Sequence, residues 1–306
     1  MNAMAAPRNV SLGLFFAALA LIGLFTPGFQ LLAVNQHLFL AVNVLALNFC
    51  LGLGGQISLA QAAFAGLGAY GSVLLHARWP EAGLLLVPAV VLGTGLVAAL
   101  LSRPMERLGE GFLAMATLCV SLVFTNLVLT LESLTGGSAG HMVNTPLSLP
   151  GLGPLSGDRV TFFLFTGLLA LGCFVFLALR DSRLGRALAA CRDDPQAASS
   201  LGIDRAAVRS LSFGLGGGLS AAAGVIHGHY TGFISPEQYH LELSLKALLF
   251  LVIGGPGNLL RPILAALVLE TVMGWLSVLG DARTLVNGLL LGAALLAGYC
   301  RIHKTR

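Results

Sequence analysis

"GLGGQISLAQAAFAGLGAY", Gly52 to Tyr70, lies inside one of the most apolar parts of the chain, yet it holds five glycines, two glutamines and a serine. Gly54 and Gly55 read as a deliberate helix break, because glycine relaxes the backbone where other residues resist. Non-helical backbone in a bilayer must be buried in protein or line water. Gln56, Ser58 and Gln61 are placed to answer the amides and carbonyls such a break frees. Two roles for them stay open: part of a solute path, or part of a helix-helix contact. Ser58, Ala62 and Gly66 recur at spacing four, the small-residue pattern that lets helices approach closely.

The wider composition says which solvent this stretch meets. Of 306 residues, 56% are hydrophobic and only 10% charged, against about 25% charged in a soluble domain; mean hydropathy is +0.87. Apolar runs of roughly 20 residues, the length needed to cross a bilayer, recur throughout. The expected fold is all-α, a polytopic helical membrane protein with about ten transmembrane helices. The spans are expected near 11–33, 38–54, 57–77, 83–101, 111–133, 159–179, 206–231, 242–256, 260–279 and 284–300, the eighth being short. Arg8 ahead of an apolar run has the shape of a signal peptide. Without a small-residue cleavage site, an uncleaved first span is expected.

Lys and Arg cluster in three places: Arg103 and Arg107; Arg180 to Arg209; and Arg301, Lys304 and Arg306. The positive-inside rule puts all three in the cytoplasm, with both termini. The Gly-, Pro- and Ser-rich segment 135–158 is then an extracytoplasmic loop. The net charge of +4 is this topological signal and not a nucleic-acid footprint. The cysteines, Cys50, Cys119, Cys173, Cys191 and Cys300, have no metal or disulfide spacing and read as small core residues. No GxxxxGK[ST], HExxH or nucleophile-elbow pattern occurs, so the chain carries no recognisable catalytic set.

Residues 182–204, "SRLGRALAACRDDPQAASSLGID", are the most informative hydrophilic segment. They predict two short helices. The first covers about Arg183 to Arg192. Asp194 then serves as N-cap with Pro195 at the first helical position. Gly202 ends the second helix in the left-handed region, and Asp204 caps the next span. A two-turn helix is not stable alone in water. Ala197, Ala198 and Leu201 form its small apolar surface, either for docking or as a solvated loop.

Several polar groups fall at membrane depth. Asn43 and Asn48 need partners, either Gln56 or facing backbone. His227, His229 and Tyr230 cluster near the end of span seven, as anchors more than as a gate. Glu242 and Lys246, four apart, predict a local ion pair. Glu270, in "ILAALVLETVMGWL", is an intramembrane ionisable group expected at a protein interface rather than facing lipid.

Taken together, these residues resemble the permease subunits of branched-chain amino acid ABC importers, the LivM-type family. "GLGGQISLAQAAFAGLGAY", "GEGFLAMATL" (109–118), "GRALAACRDDPQAASSLGID" (185–204), "GFISP" (232–236) and "VIGGPGN" (252–258) match family motifs in the family's order, over about residues 40–280. Pro256, Asn258 and Arg261 depart from the Leu-Gly-Ser-Leu pattern usual after "VIGG".

The resemblance implies one transmembrane permease domain over 1–306, with 182–204 as the cytoplasmic loop that couples to an ATPase. Gly185, Arg186, Asp194, Pro195, Ala197, Leu201, Gly202 and Asp204 would serve that coupling. Asn48, Gly54, Gly55, Gln56, Ser58 and Gln61 would mark the translocation path or helix break. Implied partners are a second homologous permease, two cytoplasmic ABC ATPases, an extracytoplasmic solute-binding protein and membrane lipid, in the bacterial inner membrane. No cofactor or metal is expected on this chain, ATP and Mg belonging to the ATPase. The expected cargo is a branched-chain or related hydrophobic amino acid. The alternatives are urea, short amides or small carboxylates on the same architecture, or an ion-coupled secondary transporter or channel. A membrane enzyme lacks its residues.

Overall fold

The computed structural model describes residues 5–79, 85–106, 108, 110–143, 148–149, 153–154 and 157–276. Its long helices are α1 (Ala5–Phe25), α2 (Gly28–Asn48), α3 (Gln61–Arg78), α4 (Leu86–Met105), α5 (Glu110–Thr130), α7 (Asp158–Asp181), α10 (Arg205–Thr231), α11 (Leu241–Gly254) and α12 (Leu260–Leu276). Shorter ones are α6 (Glu132–Thr135), α8 (Arg183–Asp193) and α9 (Pro195–Ser200). Among the described residues, four helical stretches, Gln30–Leu53, Leu86–Met105, Gly111–Thr130 and Asp158–Asp181, are long and apolar enough to cross a membrane. The expected span at 284–300 lies outside the described residues.

The first expected span, 11–33, is corrected. The chain breaks at Thr26 and Pro27, and α2 starts at Gly28. Pro27 sits in an apolar run, so hydropathy passes through it, but the ring suits only a helix start. The third span is corrected too: its helix begins at Gln61, not 57, because residues 55–60 are not helical. The eighth, α11, has only 14 residues, in keeping with its short apolar run.

The helices α2 and α10 form the centre. α10 packs on α2, α3, α4 and α7, while α2 also packs on α7, α11 and α12; α1 lies on α7 and α5 on α3. Along α10 small residues dominate the buried positions, including Gly216, Gly217, Ser220, Ala221 and Gly224. A Cβ at Gly224 would run into the carbonyl oxygen of Ala65, and one at Gly68 into that of Ala221. Close approach of α3 and α10 is therefore built on Ala65, Gly68, Ala221 and Gly224. Ala62 and Gly66, from the expected small-residue row, face elsewhere: the Ala62 amide meets Ser244 of α11, and Gly66 abuts Phe124 of α5.

On its other side α10 meets α4, whose buried residues Val90, Thr94, Ala98 and Ser102 form one row at spacing four. The opposite face of α4 carries exposed Leu92, Leu96 and Leu100. Phe112, Val123, Leu171, Phe174 and Val268 are likewise exposed. An apolar outer surface of this extent belongs against lipid or another membrane subunit. Cys119 is exposed on α5, which corrects its reading as a core residue, whereas Cys50, Cys173 and Cys191 are buried.

Two small antiparallel pairs complete the fold. His141–Met142 (β1) pairs with Phe233–Ile234 (β4), and Ser148–Leu149 (β2) with Gly153–Pro154 (β3). The first pair ties the 135–158 segment to the α10–α11 connection, at the end of the molecule opposite α8 and α9.

Candidate functional site

The break after α2 is a π-helical turn, Phe49–Leu53, followed by Gly55 at φ +70°. A side chain at Gly55 would also strike Arg192, with a built Cβ 2.7 Å from its Cγ. The backbone then climbs without helical bonds until Gln61. Its polar groups are answered mostly from neighbouring helices. Thr117 Oγ1 accepts from the Leu59 amide at 3.0 Å, and the Ser121 hydroxyl donates to Leu59 O at 2.7 Å. Ser244 Oγ accepts from the Ala62 amide at 2.9 Å, and the Ser212 hydroxyl donates to Phe49 O.

The expectation that Gln56, Ser58 and Gln61 compensate the break holds for Ser58 and is corrected for the two glutamines. Ser58 Oγ accepts locally from the Ala60 amide at 3.3 Å. Gln61 instead joins the helix contact, its Oε1 accepting from Ser220 at 2.6 Å. Gln56 reaches away to Glu106, Nε2 donating to Oε2 at 3.1 Å.

Asn48 bonds facing backbone, one of the two expected options. Its Nδ2 donates to Asn258 O at 2.6 Å and its Oδ1 accepts from the Gly257 amide at 2.9 Å. One side chain thereby stitches the first break to a second, between α11 and α12. The motifs at 52–56 and 252–258 meet in space here, and a Cβ at Gly52 would lie 2.6 Å from the Gly257 nitrogen. Asn43 bonds only within its own helix, to Phe39 O at 2.9 Å.

Over this junction lies the 182–204 segment, folded as its punctuation predicts. Ser182 caps α8, accepting from the Gly185 amide at 3.2 Å. Asp194 caps α9, accepting from the amides of Gln196 and Ala197 at 2.9 and 3.0 Å, with Pro195 at the first position. Gly202 has φ +79°, and Asp204 caps α10 through the Ala207 amide at 3.1 Å. Gly185 is packed where a Cβ would collide with the last carbonyls of α7, and Arg186 is exposed. Ala198 is buried, while Ala197 and Leu201 are exposed, Leu201 by 79%.

The segment is fastened by a buried charge cluster that sequence reasoning missed. The Glu106 carboxylate accepts from Arg209 at 2.8 Å and from Arg205 at 3.0 Å, besides Gln56. The Glu106 and Arg209 side chains are only 7% and 9% exposed. Arg209 also donates to Cys191 O at 2.7 Å, and Arg192 to Gly52 O at 2.9 Å. Glu106 therefore joins the α4–α5 connection, α8, α10 and the break. Burial pushes the Cys191 thiol above its ordinary value; the Arg209 charge opposes this and Glu106 adds to it. The available signal was an acid flanked by Arg103 and Arg107.

At the opposite end, α2, α10, α11 and α12 enclose a polar cleft of about 270 Å³. Lys246 pairs with Glu242 at 3.0 Å, as the spacing predicts, and approaches Glu270 at 3.8 Å. Glu270 is 12% exposed, its side chain packed inside the protein. His227 has both ring nitrogens engaged, with Tyr239 Oη and Gln36 Oε1, each at 3.0 Å. Gln36 Oε1 can only accept, so Nε2 carries a proton and donates to it. Tyr230 donates to Asp158 at 2.7 Å, and His229 stacks edge-on against His76. These three residues thus brace helix ends.

Long apolar-faced helices, interrupted at two touching breaks, define a multi-pass membrane protein. A family model described as branched-chain amino acid transport system / permease component matches residues 31–298, and the chain belongs to that family. It is similar to the high-affinity branched-chain amino acid transport system permease protein LivM of Escherichia coli K12, 30% identical over 247 residues, 74% of this chain and 58% of that protein. It therefore spans somewhat over half of that relative's length. LivH of the same organism is 28% identical over 240 residues, 71% of this chain and 75% of LivH. The autoinducer 2 import system permease protein LsrC of Salmonella paratyphi B is 35% identical over 98 residues, 30% of this chain and 28% of LsrC. No solved structure matches.

Proposed function

We propose that this chain is one of two homologous permease subunits in an ABC importer of the bacterial inner membrane, moving branched-chain or related hydrophobic amino acids. It has about ten spans and cytoplasmic termini. Two cytoplasmic ATPases bind the nucleotide and Mg, an extracytoplasmic binding protein delivers the solute, and this chain itself holds no cofactor. The observation carrying the reading is the 182–204 segment. Its outer surface offers Ala197 and Leu201 to a partner, while its inner surface is tied through Arg192, Cys191 and Glu106 to the helix break.

In this reading α8 and α9 dock on an ATPase. Nucleotide-driven movement of that ATPase pulls on the Gly52–Gln56 turn and switches access to the path. Names of the relatives point the same way, since LivM and LivH are both permease proteins of a branched-chain amino acid system. The test is reconstitution. The chain should co-purify with a second permease and ATPases, and uptake into proteoliposomes should require ATP. Transport by the chain alone, without nucleotide and driven by an ion gradient, would overturn the reading.

A further inference from the structure

Between α4, α7 and α10 the outer surface carries a groove of about 460 Å³ with an almost wholly apolar lining. Gly95, Gly214 and Gly218 hollow it out, and the exposed Leu92, Leu96 and Leu171 stand at its rims. Along α10 it runs from Leu211 to Ala222, about 16 Å at 1.5 Å per residue. Half of a bilayer's hydrocarbon core is about 15 Å thick. The groove therefore has the length of one leaflet. A transmembrane helix needs both leaflets, and at about 10–12 Å across it calls for a wider bed than this slot.

At its α8–α9 end the groove runs into a polar pocket lined by Arg103, Glu106, Asp204, Ala206 and Ala207. The two are one helical turn apart, since Arg103 lies four residues beyond Ala99 on α4 and Ala207 four residues before Leu211 on α10. Glu106 is already neutralised by Arg205 and Arg209. Asp204 presents a carboxylate, one oxygen of which caps α10. Arg103 is an exposed guanidinium with no ion pair among the described residues. A simple anionic headgroup would gain at Arg103 and lose at Asp204. A headgroup with both a phosphate and an ammonium gains at both.

We propose that groove and pocket together bind one phospholipid of the cytoplasmic leaflet. An acyl chain fills the groove, the phosphate meets Arg103, and a primary ammonium meets Asp204. Arginine suits a phosphate because its planar fork of N–H donors matches the phosphate oxygens. A primary ammonium carries three protons, any of which a carboxylate accepts. The site depends on the importer reading only for the cytoplasmic placement of α8 and α9.

The test uses the assembled transporter, stripped of lipid in detergent and then offered phosphatidylethanolamine, phosphatidylglycerol or phosphatidylcholine with the same acyl chains. Native mass spectrometry counts the bound lipid, and thermal unfolding reads the stabilisation. Phosphatidylethanolamine should bind more tightly than phosphatidylglycerol by up to about fivefold, the worth of one exposed charge pair. Phosphatidylcholine, whose quaternary ammonium has no proton to donate, should fall between them. Arg103→Gln should weaken phosphatidylethanolamine binding about fivefold. Asp204→Asn keeps a good N-cap but removes the charge, so phosphatidylglycerol should then bind as well as phosphatidylethanolamine. A merely structural loss would not abolish that preference while leaving binding intact.

Leu96→Trp, at an exposed rim position, should block the groove and lower the occupancy of every phospholipid. Equal binding of the three headgroups to the wild-type complex would mean bulk lipid only and overturn the site. Unchanged phospholipid binding in Leu96→Trp would overturn it as well. If that variant instead releases the partner permease, the groove is a subunit interface and the lipid site is wrong. Where the lipid results fail in a preparation that still imports leucine with ATP, the site falls and the importer reading stands.

Discussion

Glu106→Gln tests whether the 182–204 segment is clamped by charge. The substitution keeps the shape but turns the oxygen that accepts from Gln56 into an NH2, so Gln56 must turn its own amide oxygen to keep a bond. It also removes the negative charge beneath Arg209 and Arg205. Arg209, 9% exposed, would keep its bond to the Cys191 carbonyl. Arg205, 29% exposed, sees more solvent, so its pair contributes at most about 1 kcal/mol. Breaking a buried pair by removing one partner costs about 3–5 kcal/mol. With the amide oxygen still able to accept from Arg209, the low end, about 3 kcal/mol, is expected. At 1.4 kcal/mol per tenfold, α8 and α9 should open about 100-fold more often. Hydrogen–deuterium exchange over residues 183–204, in the assembled transporter in nanodiscs, reads that opening directly. Protection should fall by about two orders of magnitude there and little along α5. The double variant Glu106→Leu/Arg209→Met should recover most of the protection, since it leaves no buried orphan charge. Arg205, which also loses its carboxylate, is 29% exposed and still donates to Pro195 O. Exchange within about threefold of wild type in Glu106→Gln would refute the clamp.

Gly202→Pro removes an amide that donates to Ser199 O and cannot adopt φ +79°. It and Ala197→Trp should abolish solute-stimulated ATPase activity while the subunit stays inserted; retained stimulation in both variants contradicts docking at α9. Asn48→Leu orphans the Gly257 amide and the Asn258 carbonyl, at about 1–3 kcal/mol each. Exchange at 255–259 should rise, and no change there would mean the two breaks are not joined through Asn48. Gly224→Val forces α10 off Ala65 and should cost about 1–3 kcal/mol by overpacking, seen as a lower unfolding midpoint; an unchanged midpoint would show the contact to be loose. Cys191, fully buried with its thiol held above the ordinary range, should resist maleimide at neutral pH as the single cysteine. It should label faster in Glu106→Gln, and rapid labelling in the parent would contradict its burial.

The 182–204 segment was legible because its determinants are local. An N-cap and the amides it serves lie within three residues, so Ser182, Asp194, Pro195, Gly202 and Asp204 declare their geometry without knowledge of the rest. The break at Gly54 and Gly55 was legible for the same reason. What answers the break was not. Thr117, Ser121, Ser212 and Ser244 each look like one small polar residue in an apolar helix, and only the packing of α5, α10 and α11 brings them to residues 49–62. The glutamines nearest in sequence seemed the natural partners, but both turn to side chains of other elements, Gln56 to Glu106 and Gln61 to Ser220. Glu106 itself was hidden by its setting, since an acid among arginines in a short connection reads as a solvated loop. Pro27 was hidden by hydropathy, which averages over the residue that cuts the helix.

The arrangement of α10 gives these separate features one mechanical context. Arg209 near its start holds Cys191 and Glu106; His227, 18 residues on, lines the far cleft. At 1.5 Å per residue the two are about 27 Å apart along one helix. Between them α10 touches α3 and α4 backbone to backbone, at Gly68, Gly224, Gly95 and Gly214, leaving no flexible side chains to absorb a shift. Close-packed interiors transmit displacement instead of damping it, so α3, α4 and α10 constitute one body. Lys246 and Glu270 stand on α11 and α12, which pack on each other and on α2. The cleft thus has walls on α10 and on the α2, α11 and α12 helices, and Asn48 ties the α11–α12 turn to the end of α2 by side-chain hydrogen bonds. The charge cluster grips α10 at one end, and the polar cleft opens beside it at the other. In the proposed importer reading, a displacement of α8 would be delivered along α10 to the cleft wall that carries His227.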